Sequence, residues 1–328
     1  MTDLSTRYVG LDLKNPIIVG SSGLTRTLEG VKRCAEAGAA AVVLKSIFEE
    51  QITAEVKQLV KDSEASLWHP EASEYISSYG KENAVSGYLE LIRQAKQEVE
   101  IPIIASVHCV TAGAWTEFVS RVEQAGADAI ELNAFVMPSD PRRTGRDNEQ
   151  FYFDVVDAVK GKVKIPLSIK LGFFFSSLMQ TLVELSETKL DGLVLFNRFY
   201  SPDFDVEKLE LVPARIVSSP GEYVRTLRWI SLLSGRTECD IAASTGIHDG
   251  KTAVKQLLAG ADAVQVVSAL YQNGLDQVGA MLDEMQVWME SHEFASIADF
   301  KGKLSQESSG NPAEYVRVQF MKHSVGIE

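Results

Sequence analysis

The sequence repeats one local pattern, in which a helical segment ends at a glycine beside alanine and a short apolar run follows. The pattern occurs as AEAGAAAVVLK (35–45), EQAGADAIELN (123–133) and LLAGADAVQVV (257–267), and KLDGLVLFN (189–197) is a looser copy. Glycine suits the residue that follows a helix, because φ is positive there. A continuous apolar run is typical of a parallel strand that is covered on both faces. The chain is therefore predicted to alternate helices with parallel strands.

Eight apolar runs qualify as strands, and helical patterns separate most of them. The runs are NPIIVG (15–20), AAVVLK (40–45), PIIASV (102–107), DAIELN (128–133), PLSIK (166–170), GLVLF (192–196), DIAAS (240–244) and AVQVV (263–267). Eight strand–helix units in series favour an α/β fold of the (β/α)8 TIM-barrel type over an open doubly wound sheet, which usually has fewer strands. We predict that residues 1–328 form this single domain, with 292–328 as a peripheral C-terminal segment.

Two connections are much longer than the others, and each follows a predicted strand. They span 47–85, after the second strand, and 199–222, after the sixth. The stretch ELVPARIV (210–217) in the later one alternates as a strand of a small separate sheet does. Loops at the carboxyl ends of barrel strands build the walls of functional sites, so both connections are predicted to border one.

Two turns of small residues, STGI (244–247) and VSAL (267–270), lie between a predicted strand and a predicted helix. The first turns of a helix offer unpaired N–H groups and the positive end of the helix dipole, which suit a phosphate. Because the seventh and eighth strands of a barrel are neighbours, the two turns predict one phosphate cradle at its carboxyl end.

Four polar residues end predicted strands and should face the same mouth. Lys45 and Lys170 close VVLK and LSIK, and Asn133 and Asn197 close IELN and VLFN. The lysines are predicted to stabilise negative charge on a ligand; the alternative is a lysine that reaches water from the barrel rim. The asparagines suit a ring with alternating C=O and N–H groups, and otherwise start turns.

Composition narrows the class of partner. The formal net charge of −13 disfavours nucleic acids and anionic membranes, and no apolar run approaches the length of a membrane span. The N-terminus lacks the pattern of a signal peptide. The three cysteines are far apart and no metal-ligand set is visible, which predicts a cytoplasmic protein that binds a small molecule and no metal.

The motifs NPIIVGSSG, VVLKS, IELN, PLSIKL, STGI and GADAVQVVSALYQNG, in this order, resemble the dihydroorotate dehydrogenase family, and its class 1 branch most. The resemblance runs from about residue 8 to about residue 280. It implies a barrel with FMN at its mouth, where the flavin takes a hydride from dihydroorotate during pyrimidine biosynthesis. It also implies a homodimer.

Carried over residue by residue, the resemblance implies a set of FMN contacts at the ends of the strands. The set is Ser22, Gly23, Lys45, Ser46, Asn133, Lys170, the Phe196 backbone, Ser219, Thr245, Gly246, Val267 and Ser268. Lys45 and Lys170 are implied to stabilise the reduced flavin. The implied substrate contacts are Ser77, which has Asn83 close by, and Asn133 and Asn197.

The sequence departs from the family pattern after the fourth strand. The family carries Asn-Leu-Ser-Cys-Pro-Asn or a close variant there, and its Cys (Ser in some members) is the base that removes a proton from the substrate. Here the run is NAFVMPSD (133–140), with Val136 at the position of the base and Pro138 or Ser139 at that of the second asparagine. The phosphate cradle also departs, because Thr245 and Val267 replace glycines.

Other groups near the mouth are candidates for the missing base or for substrate contacts. His108 follows the third strand with Cys109, and histidine is the usual side chain for proton transfer near neutral pH; the alternative is a packed or solvent-facing histidine. Ser139 is a poor base unless it is activated. The arginines of PSDPRRTGRD (138–147) either bind an anionic substrate or pair with acidic neighbours on the surface: Arg142, Arg143 and Arg146.

Together these features predict an FMN-dependent oxidoreductase that acts on a CH–CH group, as dihydroorotate dehydrogenases do. Two alternatives remain open at this point. One is an FMN oxidoreductase of the same scaffold with a different small substrate. The other is a barrel that binds flavin or phosphate without catalysis.

Overall fold

The computed structural model of the chain describes residues 2–48, 85–109 and 116–317. Eight parallel strands close into a barrel, because each pairs with its sequence neighbours and the first pairs with the last. The strands are β1 (Ile17–Val19), β2 (Ala41–Val43), β3 (Ile103–Cys109), β4 (Ala129–Ala134), β5 (Leu167–Leu171), β6 (Gly192–Leu195), β7 (Asp240–Ser244) and β8 (Ala263–Val266). The predicted (β/α)8 barrel is confirmed, and every strand overlaps a predicted run.

Helices lie around the barrel and cover the outer face of its strands. They are α1 (Leu28–Glu36), α2 (85–98), α3 (Thr116–Gln124), α4 (Gly145–Lys160), α5 (Leu178–Ser186), α6 (Tyr223–Leu233), α7 (Gly250–Ala259), α8 (Ser268–Asn273) and α9 (Gln277–Ser291). In the three close copies of the repeated pattern the glycine has the expected positive φ: Gly38, Gly126 and Gly260. In the looser copy, Gly192 is instead the first residue of β6.

Side chains alternate along each strand between two separate cores. One set of side chains points outward and packs in the large core between the strands and the helices, for example Ile17 on β1 and Leu132 on β4. Their neighbours point inward to a smaller core that fills the amino end of the barrel. This alternation explains why the strands are apolar on both faces.

An N-terminal hairpin of Thr6–Tyr8 and Leu11–Leu13 closes the amino end of the barrel. Tyr8 and Val9 belong to the inner core, and the Val9 N–H donates to the Asp240 carboxylate at the start of β7 (2.6 Å). Gly192, the first residue of β6, makes room for them, since a Cβ there would lie 2.6 Å from Val9 Cγ1.

We expect Gly192→Ala to destabilise the fold by about 1–3 kcal/mol, the usual effect of overpacking a filled core. Thermal and denaturant unfolding measure the change. Gly87→Ala on α2 is the matched control, because its added methyl would meet nothing within 4 Å. An equal stability of the two variants would contradict the close packing of the hairpin.

The connection after β6 carries the small separate sheet expected there, a hairpin of Pro202–Asp205 and Glu210–Pro213. Most of the connection predicted at 47–85 lies outside the described residues. In the C-terminal segment, Phe300 is buried and Lys301 pairs with Asp262 at 2.5 Å. No helix in the described parts of the chain is long and apolar enough to span a bilayer.

Candidate active site

The barrel interior changes from apolar to polar toward the carboxyl ends of the strands. Six inward-facing polar residues there are almost completely buried: Ser106, Glu131, Ser168, Lys170, Ser244 and Gln265. Buried polar groups are costly unless they are hydrogen-bonded, so such a layer has to be built as a connected network. It forms the base of a polar mouth.

Lys170 is the buried cation of this network. Its Nζ donates to Gln265 Oε1 at 2.7 Å, and Gln265 Nε2 donates in turn to Glu131 Oε2. Burial lowers the pKa of Lys170 below its usual value, and the Glu131 charge acts in the opposite direction. The lysine therefore points into the mouth, as its place at the end of a strand predicts, and does not reach out from the rim.

Three predicted site residues lie side by side across neighbouring strands. The register pairs His108 on β3 with Asn133 on β4, and Asn133 with Lys170 on β5. Asn197, just after β6, donates from Nδ2 to Asn133 Oδ1 at 2.8 Å. The two asparagines thus meet, and one face of the mouth presents two amides, a cation and an imidazole.

A cavity of about 160 Å³ brings many of the predicted residues together. Its lining includes Lys170, Asn197, Thr245, Gly246, Val267 and Ser268. Gln265 and Ser218 also line it, and neither was predicted. The turns after β7 and β8 therefore face one space, as the prediction of a single cradle requires.

Ser218 ties the two turns of the cradle together. Its N–H donates to Ser268 Oγ at 2.9 Å, and its Oγ accepts from the Gly246 N–H at 3.3 Å. The same Oγ lies 3.0 Å from His248 Nε2. Its neighbour Ser219, the predicted contact, instead directs its N–H and Oγ to Glu222 Oε1 (2.7 and 3.2 Å).

The turn after β7 takes an uncommon backbone conformation. Thr245 and Gly246 have φ values of 77° and 78°, a region that disfavours side chains. The Thr245 hydroxyl donates to the Phe196 carbonyl at 2.9 Å, which holds the turn against the end of β6. A Cβ on Gly246 would lie 2.2 Å from the Tyr223 nitrogen, so the turn packs directly on the start of α6.

Serines line the part of the mouth next to the cradle, after β1 and β2. Ser21 Oγ accepts from the Ser46 N–H at 2.8 Å, and Ser46 Oγ lies 2.8 Å from Ser106 Oγ. Ser22 Oγ is buried and has no hydrogen-bond partner among the described residues. Lys45 is half-buried beside them, and burial followed by the Arg26 charge lowers its pKa.

Aromatic residues form a second wall above the mouth. Phe135 stacks on Phe199 with 3.9 Å between ring centroids, and the Arg225 guanidinium lies 3.9 Å from the Phe173 centroid. A cavity of about 600 Å³ opens along this wall, lined in part by Phe173, Phe199 and Asn197. The loops after β5 and β6 thus add an apolar surface to the polar mouth.

The loop after β4, which departs from the family pattern, packs against the outer core and forms an ion pair on the surface. The Val136 N–H donates to the Tyr152 hydroxyl at 3.2 Å, and the Val136 side chain packs against the outer core. Arg142 pairs with Asp140 at 3.1 Å on the surface, as the second interpretation of the arginines expected. Ser77 and Asn83 lie outside the described residues.

The closed barrel, with a polar mouth at the carboxyl ends of its strands, is the arrangement of a TIM-barrel enzyme with a small-molecule site at that end. Comparison with known proteins agrees: a family model described as dihydroorotate dehydrogenase matches residues 3–289. The chain belongs to the dihydroorotate dehydrogenase family. Members of this family are flavin-dependent oxidoreductases that act on a CH–CH group, and this chain is an oxidoreductase of that kind.

Three relatives show how far the similarity extends. The catalytic subunit of dihydroorotate dehydrogenase B (NAD(+)) from Thermoplasma volcanium is 30% identical over 92% of this chain and 98% of its own. The protein of the same name from Methanocaldococcus jannaschii is 26% identical over 86% and 92%. The chloroplastic dihydropyrimidine dehydrogenase (NADP(+)) of Arabidopsis thaliana is 24% identical over 93% and 77%.

Proposed function

We propose that the protein is an FMN-dependent oxidoreductase that oxidises dihydroorotate to orotate in pyrimidine biosynthesis. One observation carries the proposal: Lys170, Asn197 and both cradle turns line a single cavity at the carboxyl end of the barrel. Family membership and the relatives named for dihydroorotate support the same substrate. Catalysis in such an enzyme depends on the flavin, which supplies hydride acceptance when it is bound.

The residues present fit a flavin mononucleotide. Thr245, Gly246, Val267 and Ser268 bring the two turns to one cavity, where a phosphate would meet their backbones. The buried Ser22 hydroxyl, which has no partner among the described residues, offers a hydrogen bond to a bound group. The predicted contacts at Gly23, Ser46 and Phe196 complete the set around the mouth.

Five polar side chains of the mouth have a defined task in this proposal. The Lys170 and Lys45 ammonium groups stabilise negative charge that develops in the mouth. Asn133 and Asn197, which already bond to each other, orient the edges of a ring by donating and accepting. His108 lies beside Asn133 in the register and is the candidate for receiving the substrate proton.

A second candidate function is oxidation or reduction of another small cyclic substrate by the same flavin. The observation that favours it is the loop after β4, where Val136 offers no proton acceptor and Phe135 stacks on Phe199. The relative named for dihydropyrimidine supports a ring substrate that differs from dihydroorotate.

Purified protein is expected to carry yellow flavin absorbance, and dihydroorotate is expected to bleach it under anaerobic conditions. The test compares dihydroorotate with dihydrouracil, which lacks the carboxylate, across pH 6–9. Bleaching by dihydrouracil alone supports the second candidate. Protein that binds added FMN but is reduced by neither compound favours a barrel without this catalysis, and protein that binds no flavin contradicts both candidates.

We also propose that the protein acts in the cytoplasm as a homodimer. The relatives from Thermoplasma and Methanocaldococcus are named catalytic subunits, which adds a further partner chain as a second possibility. Light scattering of the purified protein measures whether it is a dimer. The size of the protein in fractions of a cell extract shows whether it belongs to a larger assembly.

A further inference from the structure

Glu131 is a buried carboxylate that the proposed reaction does not use. It lies on β4, points into the barrel and is 1% exposed. One of its oxygens accepts from Gln265 Nε2, and the other has no hydrogen-bond partner among the described residues. A carboxylate this deep is costly unless a positive charge compensates it.

The compensating charge is Lys170, and Gln265 connects the two. Gln265 is 2% exposed and lies on β8, across the barrel interior from β4 and β5. Its amide nitrogen donates to Glu131, so its oxygen is left to accept from Lys170 Nζ at 2.7 Å. The reverse orientation would place an NH2 group against an ammonium and an oxygen against a carboxylate. The charges at the two ends therefore fix the direction of the Gln265 amide.

The same chain of bonds restricts the lysine. A lysine side chain has four flexible torsions and a compact charge, so it holds one position only when a partner fixes it. Lys170 is 7% exposed and lines the cavity that also contains the cradle turns. Burial raises the pKa of Tyr8 and of Tyr88, and the Glu131 charge raises both further.

We propose that Glu131 and Gln265 are positioning residues that anchor the Lys170 ammonium in the cavity wall and so set how strongly a bound flavin is stabilised when it is reduced. The inference rests on the proposed function for the flavin, but the anchor itself is a property of this chain. It can therefore be tested both without and with the cofactor.

The first test uses thermal unfolding of the flavin-free protein. Lys170→Met leaves Glu131 buried without a cation and is expected to lower the melting temperature strongly. Adding Glu131→Gln to that variant removes the stranded charge while keeping the shape, so the double variant is expected to melt above Lys170→Met alone. A double variant that melts lower, by the sum of the single effects, would overturn the anchor.

The second test measures the midpoint potential of bound FMN in the parent protein, the two single variants and the double variant. Glu131→Gln is expected to shift the midpoint potential by different amounts in the parent protein and in the Lys170→Met variant. The two shifts are expected to differ by at least about 30 mV, which is a tenfold difference in the reduction equilibrium of a two-electron couple. Equal effects in both backgrounds would show that Glu131 acts on the flavin independently of Lys170 and would contradict the proposal.

Gln265→Leu breaks the link and is expected to weaken the stabilisation of reduced FMN at least tenfold. Gln256→Leu is the matched control, because Gln256 is a fully buried glutamine on α7, outside the barrel interior. It is expected to change the reduction equilibrium less than twofold; a shift as large as that of Gln265→Leu would overturn the specific role. Failure of every variant and of the parent to bind flavin would refute the proposed function, and the thermal test would still decide the anchor.

Discussion

Replacing Lys170 with methionine is expected to slow flavin reduction by the substrate about 100- to 1,000-fold, the usual loss when a buried group that stabilises developing charge is removed. The cation is held in the mouth by Gln265, at 2.7 Å, and is shielded from water. Anaerobic stopped-flow measurement of flavin bleaching gives the rate. The variant is also expected to lose about 3–5 kcal/mol of unfolding free energy, since Glu131 loses its compensating charge.

The rate of flavin reduction is expected to change with pH in a defined direction. Burial lowers the Lys170 pKa, and the charged form is the one that acts. The rate is therefore expected to be full below that pKa and to fall as the pH rises through it, whereas Lys170→Met lacks this limb. Lys32→Met is the control, because Lys32 pairs with Glu98 on the surface at 2.8 Å and such pairs contribute little. An equal loss of rate in both variants would contradict the role of Lys170.

Gly246→Ala is expected to weaken FMN binding at least 100-fold and to lower the unfolding free energy by roughly 2–5 kcal/mol. Two causes add at this position. The φ of 78° is unfavourable for alanine, and its Cβ would lie 2.2 Å from the Tyr223 nitrogen. The backbone of the turn has to move away from α6, which opens the cradle. Fluorescence titration with FMN measures the affinity.

A second glycine separates these two causes. Gly274 has a φ of 85°, but a Cβ there would meet nothing within 4 Å. Gly274→Ala is therefore expected to lose about 1–3 kcal/mol of stability through the backbone alone and to bind FMN as the parent does. Tight FMN binding by Gly246→Ala would show that the phosphate does not lie in this turn.

The fold was predictable because its signal is repeated. Three strands that are apolar on both faces follow a helix that ends near glycine, and the same unit recurs along the chain, so an error at one copy does not alter the conclusion. The N-terminal hairpin of Thr6–Tyr8 and Leu11–Leu13 was not predicted. Its strands have three residues each, which is too short for an alternation to be visible.

The site was predictable only in part, and the physical reason is distance along the chain. Lys170 and Asn133 were identified because strand ends converge in a barrel. Ser218 and His248 were missed because they meet across 30 residues, through a long connection that no periodicity describes. Gln265 had a visible signal, a polar residue inside the apolar run AVQVV, but its partner Glu131 becomes clear only when the inward faces of β4 and β8 are seen together.

The plugged amino end of the barrel has a consequence for the order of events. Tyr8, Val9 and Leu13 fill that end, so in the part of the chain that the structure describes the polar mouth opens toward the carboxyl side. A small-molecule electron donor and a small-molecule electron acceptor would then use the same opening, one after the other. In a barrel with a single opening, a bound flavin would stay reduced after the donor leaves and until the acceptor binds. The cofactor would then store the electrons as well as react with the donor.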